Sequence, residues 1–462
     1  MPVMAVKVAA SRLIGAASGR AGHSGTTLPG RLVLAADKRI IGRISRKYSR
    51  GTVIVSATNG KTTTSAMIAS IFRKKGLRVA RNREGANLEA GVASAVLGDA
   101  SMNGRPGSEI GLFEVDEAAL PGVAWQCSPR IMLLMNLFRD QLDRYGELEH
   151  IAGLWRAALR SLPEKTQTVL NADDPMVAGM ASVRPEQTVF YGIEAADGGE
   201  MQHASDSKYC SNCGAALRYE AVFVGHLGKY HCPACGNTRP SPTVQARDVR
   251  LGGMAGSSFT LVAPGGHMEM EIRLPGLYNV YNALAAAAAC TALGLDLRTI
   301  SEGLAGFSAA FGRVEKLSIE GKAVMLLLVK NPVGFNEVVR TLMIEPGRKT
   351  LLLALNDHIA DGRDISWIWD VDMEALAPAV AAAVTSGTRA WEMAMRLKYA
   401  GVEPERIEAV TDLGRALERA LELTGTEETL FVLPTYTAML SLRQEIHQHF
   451  STDRELGDLV WK

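Results

Sequence analysis

Ser56-Ala57-Thr58-Asn59-Gly60-Lys61-Thr62-Thr63 stands between a β-branched apolar run, Thr52 to Ala57, and a stretch with apolar residues at helical spacing, Met67, Ile68, Ile71 and Phe72. A strand-to-helix turn of this kind suits phosphate, because the first helical N–H groups, the positive end of the helix dipole and an ammonium converge there. Thr58, Asn59, Gly60, Lys61, Thr62 and Thr63 are therefore expected to hold the phosphates of ATP, with Lys61 neutralising transferred charge and the Thr62 hydroxyl reaching magnesium. The general P-loop has Gly five residues before its Gly-Lys pair, where this chain has Val55, so the loop is a variant. A second group, Glu114-Val115-Asp116-Glu117, closes the apolar run Ile110 to Val115. Ligands of open parallel sheets gather outside the carboxyl ends of strands, where Glu114 and Glu117 can complete a magnesium site. Third, Cys210-x-x-Cys213 and Cys232-x-x-Cys235, with 18 residues between the pairs, have the spacing of a four-thiolate zinc site that keeps no open catalytic position. The other two of the six cysteines, Cys127 and Cys290, have no nucleophile turn around them and read as core.

These residues need a scaffold. A chain of 462 residues implies two or three domains. With 50 Lys and Arg against 49 Asp and Glu, it carries no global pull toward nucleic acid, so any anion site is local. Apolar runs at Leu77–Ala80, Ile131–Met135, Thr168–Leu170 and Thr188–Tyr191 join the two above, with helical stretches between several of them, and predict a mainly parallel sheet covered by helices. Residues 204–242 change to Cys, Gly, Pro, Tyr and Asn and read as an insertion with its own small fold. Short strands follow around Val249, Phe259–Val262 and Met268–Ile272, then an Ala-rich helix from Tyr281. The rhythm restarts with Ala323–Val329, a helix near Asn336–Leu342, Thr350–Leu355 and Leu430–Leu433, a second and smaller α/β unit. The expected division is an N-terminal segment 1–50 packed on the central domain, a central domain 51–315, and a C-terminal domain 316–462. Leu274 to Leu295 is uncharged for 22 residues but opens with Leu-Pro-Gly and is mostly Ala, so it reads as a buried helix and not a membrane span. No signal-peptide core is seen, and a cytoplasmic location is expected.

Several stretches together resemble the Mur ligases, the ATP-dependent amide-forming enzymes of peptidoglycan synthesis. They are the Thr58–Thr63 loop, Glu114–Glu117, Asn136–Tyr145, Asn171–Pro175, Gly276–Ala283 and Phe311–Glu315. The four-cysteine insertion and the stretches Asn356–Asp364 and Ser366–Asp370 narrow the likeness to the synthetase subunits of lipid II isoglutaminyl synthase. The resemblance implies an α/β fold: a Mur ligase-type central ATPase domain with a parallel sheet and an inserted zinc ribbon, plus a smaller Rossmann-like C-terminal domain. It also implies ATP-dependent amidation of the D-glutamate α-carboxylate of the lipid II stem peptide, through an acyl phosphate, with Mg2+ and a structural Zn2+. Asn282 would then face the adenine, Arg313 the phosphates, and Glu114, with Glu117 second, the magnesium ion.

Two departures from the amino-acid-adding ligases fit that narrower branch. Gln141 stands where those ligases carry His, and Arg156, which cannot hold a carbamate, stands where they carry a carbamylated Lys. In the C-terminal unit Val329-Lys330-Asn331-Pro332 replaces their Asp near a His-Asn-Pro. The chain has no glutaminase of its own, so ammonia would come from a glutaminase subunit, GatD, in a heterodimer. The resemblance gives Asp357 the task of orienting that partner's catalytic His, ahead of Asp361 and Asp364. Lipid II would be met at the inner face of the plasma membrane, and no nucleic acid is expected. The alternatives are a folylpolyglutamate-type amino-acid ligase and a zinc-ribbon nucleic-acid-binding ATPase. The basic stretch Arg39, Arg43, Arg46, Lys47 and Arg50 reads as a solvated helix face in preference to a membrane or pyrophosphate contact. Trp367 and Trp369 are either partner anchors or domain core.

Overall fold

The computed structural model describes residues 2–20, 27–82, 85–139, 148–194, 206–307 and 314–450. Its larger sheet has nine strands in the order Val79–Arg81, Ile110–Glu114, Thr52–Ser56, Ile131–Leu134, Gln167–Asn171, Thr188–Ile193, Val244–Leu251, Ser257–Ala263 and Gly266–Ile272. The first seven run parallel and the last two antiparallel. The central strands are buried along their whole length, as parallel strands with helices on both faces must be. On one face lie Lys61–Lys74, Leu277–Ala292 and Leu297–Ala305. Ala283 to Ala289 are almost all small side chains with no exposure, which lets that helix seat close to the sheet. The opposite face carries Leu148–Arg160 and three N-terminal helices, Pro2–Arg20, Leu28–Ala36 and Ile40–Ser45, whose Val8, Val33, Ile40 and Ile44 share a core with Ile54 and Phe113.

The strand expected at Leu77–Ala80 begins later, at Val79, because Gly76 at φ +80° and Leu77 are spent turning out of the preceding helix. The Ala-rich helix begins earlier than expected, at Leu277. Among the described residues no helix is long and apolar enough to cross a membrane.

Between the parallel neighbours Thr188–Ile193 and Val244–Leu251 the chain makes a separate antiparallel hairpin, Arg218–Val224 with Leu227–His231, flanked by the cysteine pairs Cys210/Cys213 and Cys232/Cys235. The second sheet has six strands in the order Val314–Ile319, Lys322–Leu327, Thr429–Pro434, Lys349–Ala354, Val380–Ser386 and Ile407–Ala409, all parallel except the first pair. This sheet starts at Val314, slightly ahead of the expected division between 315 and 316. Helix Pro332–Ile344 faces back toward the insertion, where Arg340 donates to the Phe223 carbonyl at 2.7 Å, and Glu345 just beyond it accepts from the Met254 amide at 2.6 Å.

Candidate active site

Strand Thr52–Ser56 and strand Ile110–Glu114 run parallel with Val55 opposite Glu114, so their carboxyl ends finish side by side. The chain then turns through Thr58–Gly60 into helix Lys61–Lys74. Gly60 has φ +90°, and a side chain there would meet Asn282 Oδ1 at 2.1 Å, so only glycine fits. No side chain caps this helix, which leaves its first N–H groups to an anion. Asn136 holds the loop by its backbone: its Oδ1 accepts from the Asn59 amide at 2.9 Å and its Nδ2 donates to the Asn59 carbonyl at 3.0 Å. Thr58 Oγ1 exchanges hydrogen bonds with the Phe138 backbone.

Lys61 is buried. Its Nζ donates to Glu117 Oε2 at 2.9 Å and to the Ala57 carbonyl. Burial disfavours the ammonium, but Glu117, Glu114 and Asp116 outweigh it and raise the Lys61 pKa. Thr62 Oγ1 donates to Glu114 Oε1 at 3.0 Å. Lys61, Thr62, Glu114 and Glu117 are thus brought together, while Thr63 lies half-buried in the first helical turn. A hydroxyl and two carboxylates beside an uncapped helix start are hard oxygen donors suited to magnesium next to phosphate. Asn282 lies under the loop, with Thr64 Oγ1 3.3 Å from its Oδ1 and its Nδ2 donating to Asn279. Arg313 and Gln141 lie outside the described residues.

Sequence reasoning did not assign Asn331 a contact. Its Nδ2 donates to Asn59 Oδ1 at 2.9 Å, its Oδ1 accepts from Asn59 Nδ2 at 3.3 Å, and the same Oδ1 caps helix Pro332–Ile344. The Asn-Pro pair signals a cap; its partner 272 residues away carries no local signal.

The four thiolates converge. Cys210 and Cys235 Sγ are 3.6 Å apart, Cys213 and Cys232 Sγ 3.5 Å, and all four lie within 4.8 Å of one another. Tetrahedral thiolates on zinc stand about 3.8 Å apart, so the set is close to the spacing such an ion needs. Backbone N–H groups of Asn212 and Cys213, with Cys235 and Asn237, outweigh burial and lower the Cys210 pKa to about 6, while neighbouring thiols raise those of Cys213 and Cys235. From this insertion Asp206 reaches the active-site loop, accepting from the Arg139 amide at 2.8 Å and from its guanidinium.

Asp173 and Asp174 fix the same region from below. Asp173 receives the Tyr281 hydroxyl at 2.7 Å, the Ile193 amide at 2.8 Å and Arg239 of the insertion at 2.6 Å. Asp174 accepts from the Leu137 amide at 2.9 Å and caps Pro175–Ala178.

In the C-terminal domain the three acidic candidates separate. Asp361 is buried and accepts from the amide and hydroxyl of Thr437, and Asp364 accepts from the Ser366 amide. Asp357 stands at the end of strand Lys349–Ala354, half-buried, holding Thr388 Oγ1 at 2.8 Å and Arg389 Nε at 2.9 Å. Those two partners hold its carboxyl below the ordinary value. Trp367 packs its ring against Phe335, whereas Trp369 is exposed and lies tilted against Tyr399.

Residues 55–233 match the model of the Mur ligase middle domain, and residues 328–439 that of the MurT ligase C-terminal domain. The subunit MurT of lipid II isoglutaminyl synthase (glutamine-hydrolyzing) from Staphylococcus aureus (strain COL) is 33% identical over 447 residues, 95% of this chain and 97% of its own. The same subunit from Streptococcus pneumoniae (strain ATCC BAA-255 / R6) is 33% identical over 439 residues, 93% and 96% of the two chains. A pseudomurein peptide ligase type C from Methanothermus fervidus superposes with a TM-score of 0.68 at 25% identity, covering 87% of this chain and 79% of that one. Folylpolyglutamate synthase of Mycobacterium tuberculosis shares the fold alone, with a TM-score of 0.63 at 15% identity over 92% and 99% of the chains. Sheet, variant loop and paired carboxylates define an ATP-dependent ligase of the Mur type. Within that class, the chain belongs to the MurT family.

Proposed function

We propose that the chain is the synthetase subunit of a glutamine-dependent lipid II amidating enzyme. It converts the D-glutamate α-carboxylate of the stem peptide to D-isoglutamine. The likeness to MurT subunits along nearly the whole of both chains carries this reading. ATP phosphorylates the carboxylate, with release of ADP. Ammonia then attacks the acyl phosphate, the C–O bond to phosphate breaks, and inorganic phosphate leaves as the amide forms.

Lys61 and the N–H groups of Lys61–Thr63 bind the phosphates, and Lys61 offsets the negative charge that builds on the phosphoryl group in transfer. Thr62, Glu114 and Glu117 would hold the magnesium ion, which neutralises phosphate charge when bound. Asn282 and Arg313 are assigned to the nucleotide, the four cysteines to a structural zinc ion. Arg156 cannot hold a carbamate, in keeping with ammonia as the nucleophile in place of an amino acid.

Ammonia comes from a GatD-type glutaminase, whose catalytic His Asp357 orients. Arg389 and Thr388 keep Asp357 ionised and fixed, as that role requires. Beside it, helix Ala390–Tyr399 exposes Trp391, Met395 and Tyr399 at a spacing of four, an apolar stripe suited to a partner subunit.

The test is mass spectrometry of lipid II after incubation with the purified chain, ATP, magnesium and ammonium, without a partner. Conversion of glutamate to isoglutamine is expected. ATP turnover that responds to a free amino acid instead, with lipid II unchanged, would replace this reading with an amino-acid ligase.

A further inference from the structure

The charge of this chain is nearly balanced, yet residues 1–50 hold ten Lys and Arg against one acidic residue, Asp37. Arg12, Arg31, Lys38, Arg39, Arg43, Arg46, Lys47 and Arg50 are all exposed. Among the described residues only Lys7 and Arg43 of this segment meet a carboxylate, and both meet Asp37.

Apolar side chains share this surface. Helix Leu28–Ala36 turns Pro29, Gly30 and Val33 inward, with the Gly30 amide donating to Ser94 Oγ at 2.9 Å. Its other face presents Leu28, Arg31, Leu32 and Ala35, an exposed stripe at helical spacing. Helix Pro2–Arg20 exposes Val6 at 66% and Leu13 at 71%, seven residues apart and so on one face. A side chain at Gly15 would touch the Pro29 ring at 3.7 Å, so the segments bearing Leu13 and Leu28 adjoin. The bases lie alongside: Lys7 and Arg43 converge on Asp37, and Lys47 reaches the Gly104 carbonyl, which neighbours Met4 and the exposed Met102.

We propose that the two N-terminal helices and the basic segment after them, which by sequence alone reads as a solvated face, form a docking face for an anionic phospholipid bilayer. Exposed Leu and Val side chains ringed by Lys and Arg combine the apolar and electrostatic signals that give peripheral helices their hold, where either alone is marginal. A second copy of the chain does not fit, because two such basic faces repel. Nucleic acid does not fit either: the only aromatic residue in the segment is Tyr48, which is buried, so no base can stack. The inference rests on the amidation reading only for its meaning, as the surface where a lipid-linked substrate is met, and its test needs no turnover.

That test is co-sedimentation of the full chain with phosphatidylcholine vesicles, with and without phosphatidylglycerol, over a salt series. Binding to the phosphatidylglycerol vesicles alone, weakening as salt rises, is expected. The variant Arg31→Glu/Lys38→Glu/Arg39→Glu should lose at least about tenfold in partitioning with its melting temperature unchanged, and Leu28→Ser/Leu32→Ser should weaken it as well. Equal binding to both vesicles, no binding, or binding to DNA but not to vesicles overturns the proposal. The salt series on the unaltered chain decides the matter even if a variant fails to fold. Loss of vesicle binding with lipid II amidation in detergent intact would remove this inference and leave the proposed function standing.

Discussion

Asn59 and Asn331 face each other amide to amide, each donating to the other, and so join the nucleotide loop to the first turn of a helix in the C-terminal domain. Asn59 is itself clamped by Asn136 through both its backbone groups, so the contact ties a fixed loop to the second sheet's domain.

Two substitutions at Asn331 separate its tasks. Asn331→Asp keeps an acceptor for the Gly334 amide but cannot donate to Asn59, whereas Asn331→Ala loses both. Stability should fall by about 1 kcal/mol for Ala and little for Asp. The KM for ATP should rise about tenfold for both, in line with the loss of a part-buried hydrogen bond between the two amides. An unchanged KM in both variants would show that this contact does not govern nucleotide binding.

Lys61→Ala should lower ATP turnover by at least about 100-fold. It also strands the buried Glu117 carboxylate, so the melting temperature should fall. Adding Glu117→Gln should recover stability without recovering turnover. Recovery of both would remove Lys61 from phosphate binding.

Asp357→Asn should abolish glutamine-driven amidation by the two-subunit enzyme and leave ammonium-driven amidation intact. The variant keeps one acceptor oxygen for Arg389, and its amide nitrogen can donate to Thr388 Oγ1, so the loop stays tethered and the comparison reads the charge. Survival of both activities would deny Asp357 the orienting role.

Cys210→Ser should lose bound metal, measured by atomic emission, and should lower ATP turnover as well. The coupling runs through Asp206 and Arg139 to Phe138, which bonds to Thr58. Asp206→Asn should reproduce part of the turnover loss with the metal retained. Full turnover in metal-free Cys210→Ser would confine the cluster to local stability.

Asp37 supplies a pH test. Burial opposes its ionisation, but Lys7, the Arg39 amide and Arg43 outweigh that, and its pKa is lowered. A carboxyl lowered on folding stabilises above its unfolded pKa of about 3.9, and that gain is lost as the pH falls through the folded value. Asp37→Asn should therefore cost about 1–3 kcal/mol at neutral pH. The gap to the unaltered chain should close below the ordinary carboxylate range, measured by chemical denaturation at a series of pH values.

The nucleotide unit is legible in the sequence because a fully buried strand, a glycine turn and an amphipathic helix each leave a local pattern, and the C-x-x-C pairs are equally plain. Strand Val380–Ser386 is not singled out, since its run of Ala lacks β-branched bulk and gains its place only from neighbours in the sheet. Strand Val314–Ile319 places two charged residues side by side, lacks a strict alternation, and is not singled out. The Asn331 and Asp206 contacts join distant segments, and no pattern in one segment reveals a partner in another. Asp357 sits among three acids in one loop; their separation into a buried carboxylate on Thr437, a turn and a half-buried carboxylate on Thr388 and Arg389 needs the tertiary structure.

The zinc-type hairpin fills the crossover between two parallel neighbours, Thr188–Ile193 and Val244–Leu251, where such folds ordinarily place a helix. The sheet cannot add its seventh strand until the ends of that crossover meet, and a thiolate cluster closing residues 210–235 shortens the free chain by about half. Shortening alone eases closure by only about 0.6 kcal/mol. Metal binding to such clusters contributes on the order of 10 kcal/mol. An ion held by the four thiolates would therefore stabilise the insertion itself far more than it eases the pairing of the sixth and seventh strands, so the insertion and the sheet around it are close to independent in stability.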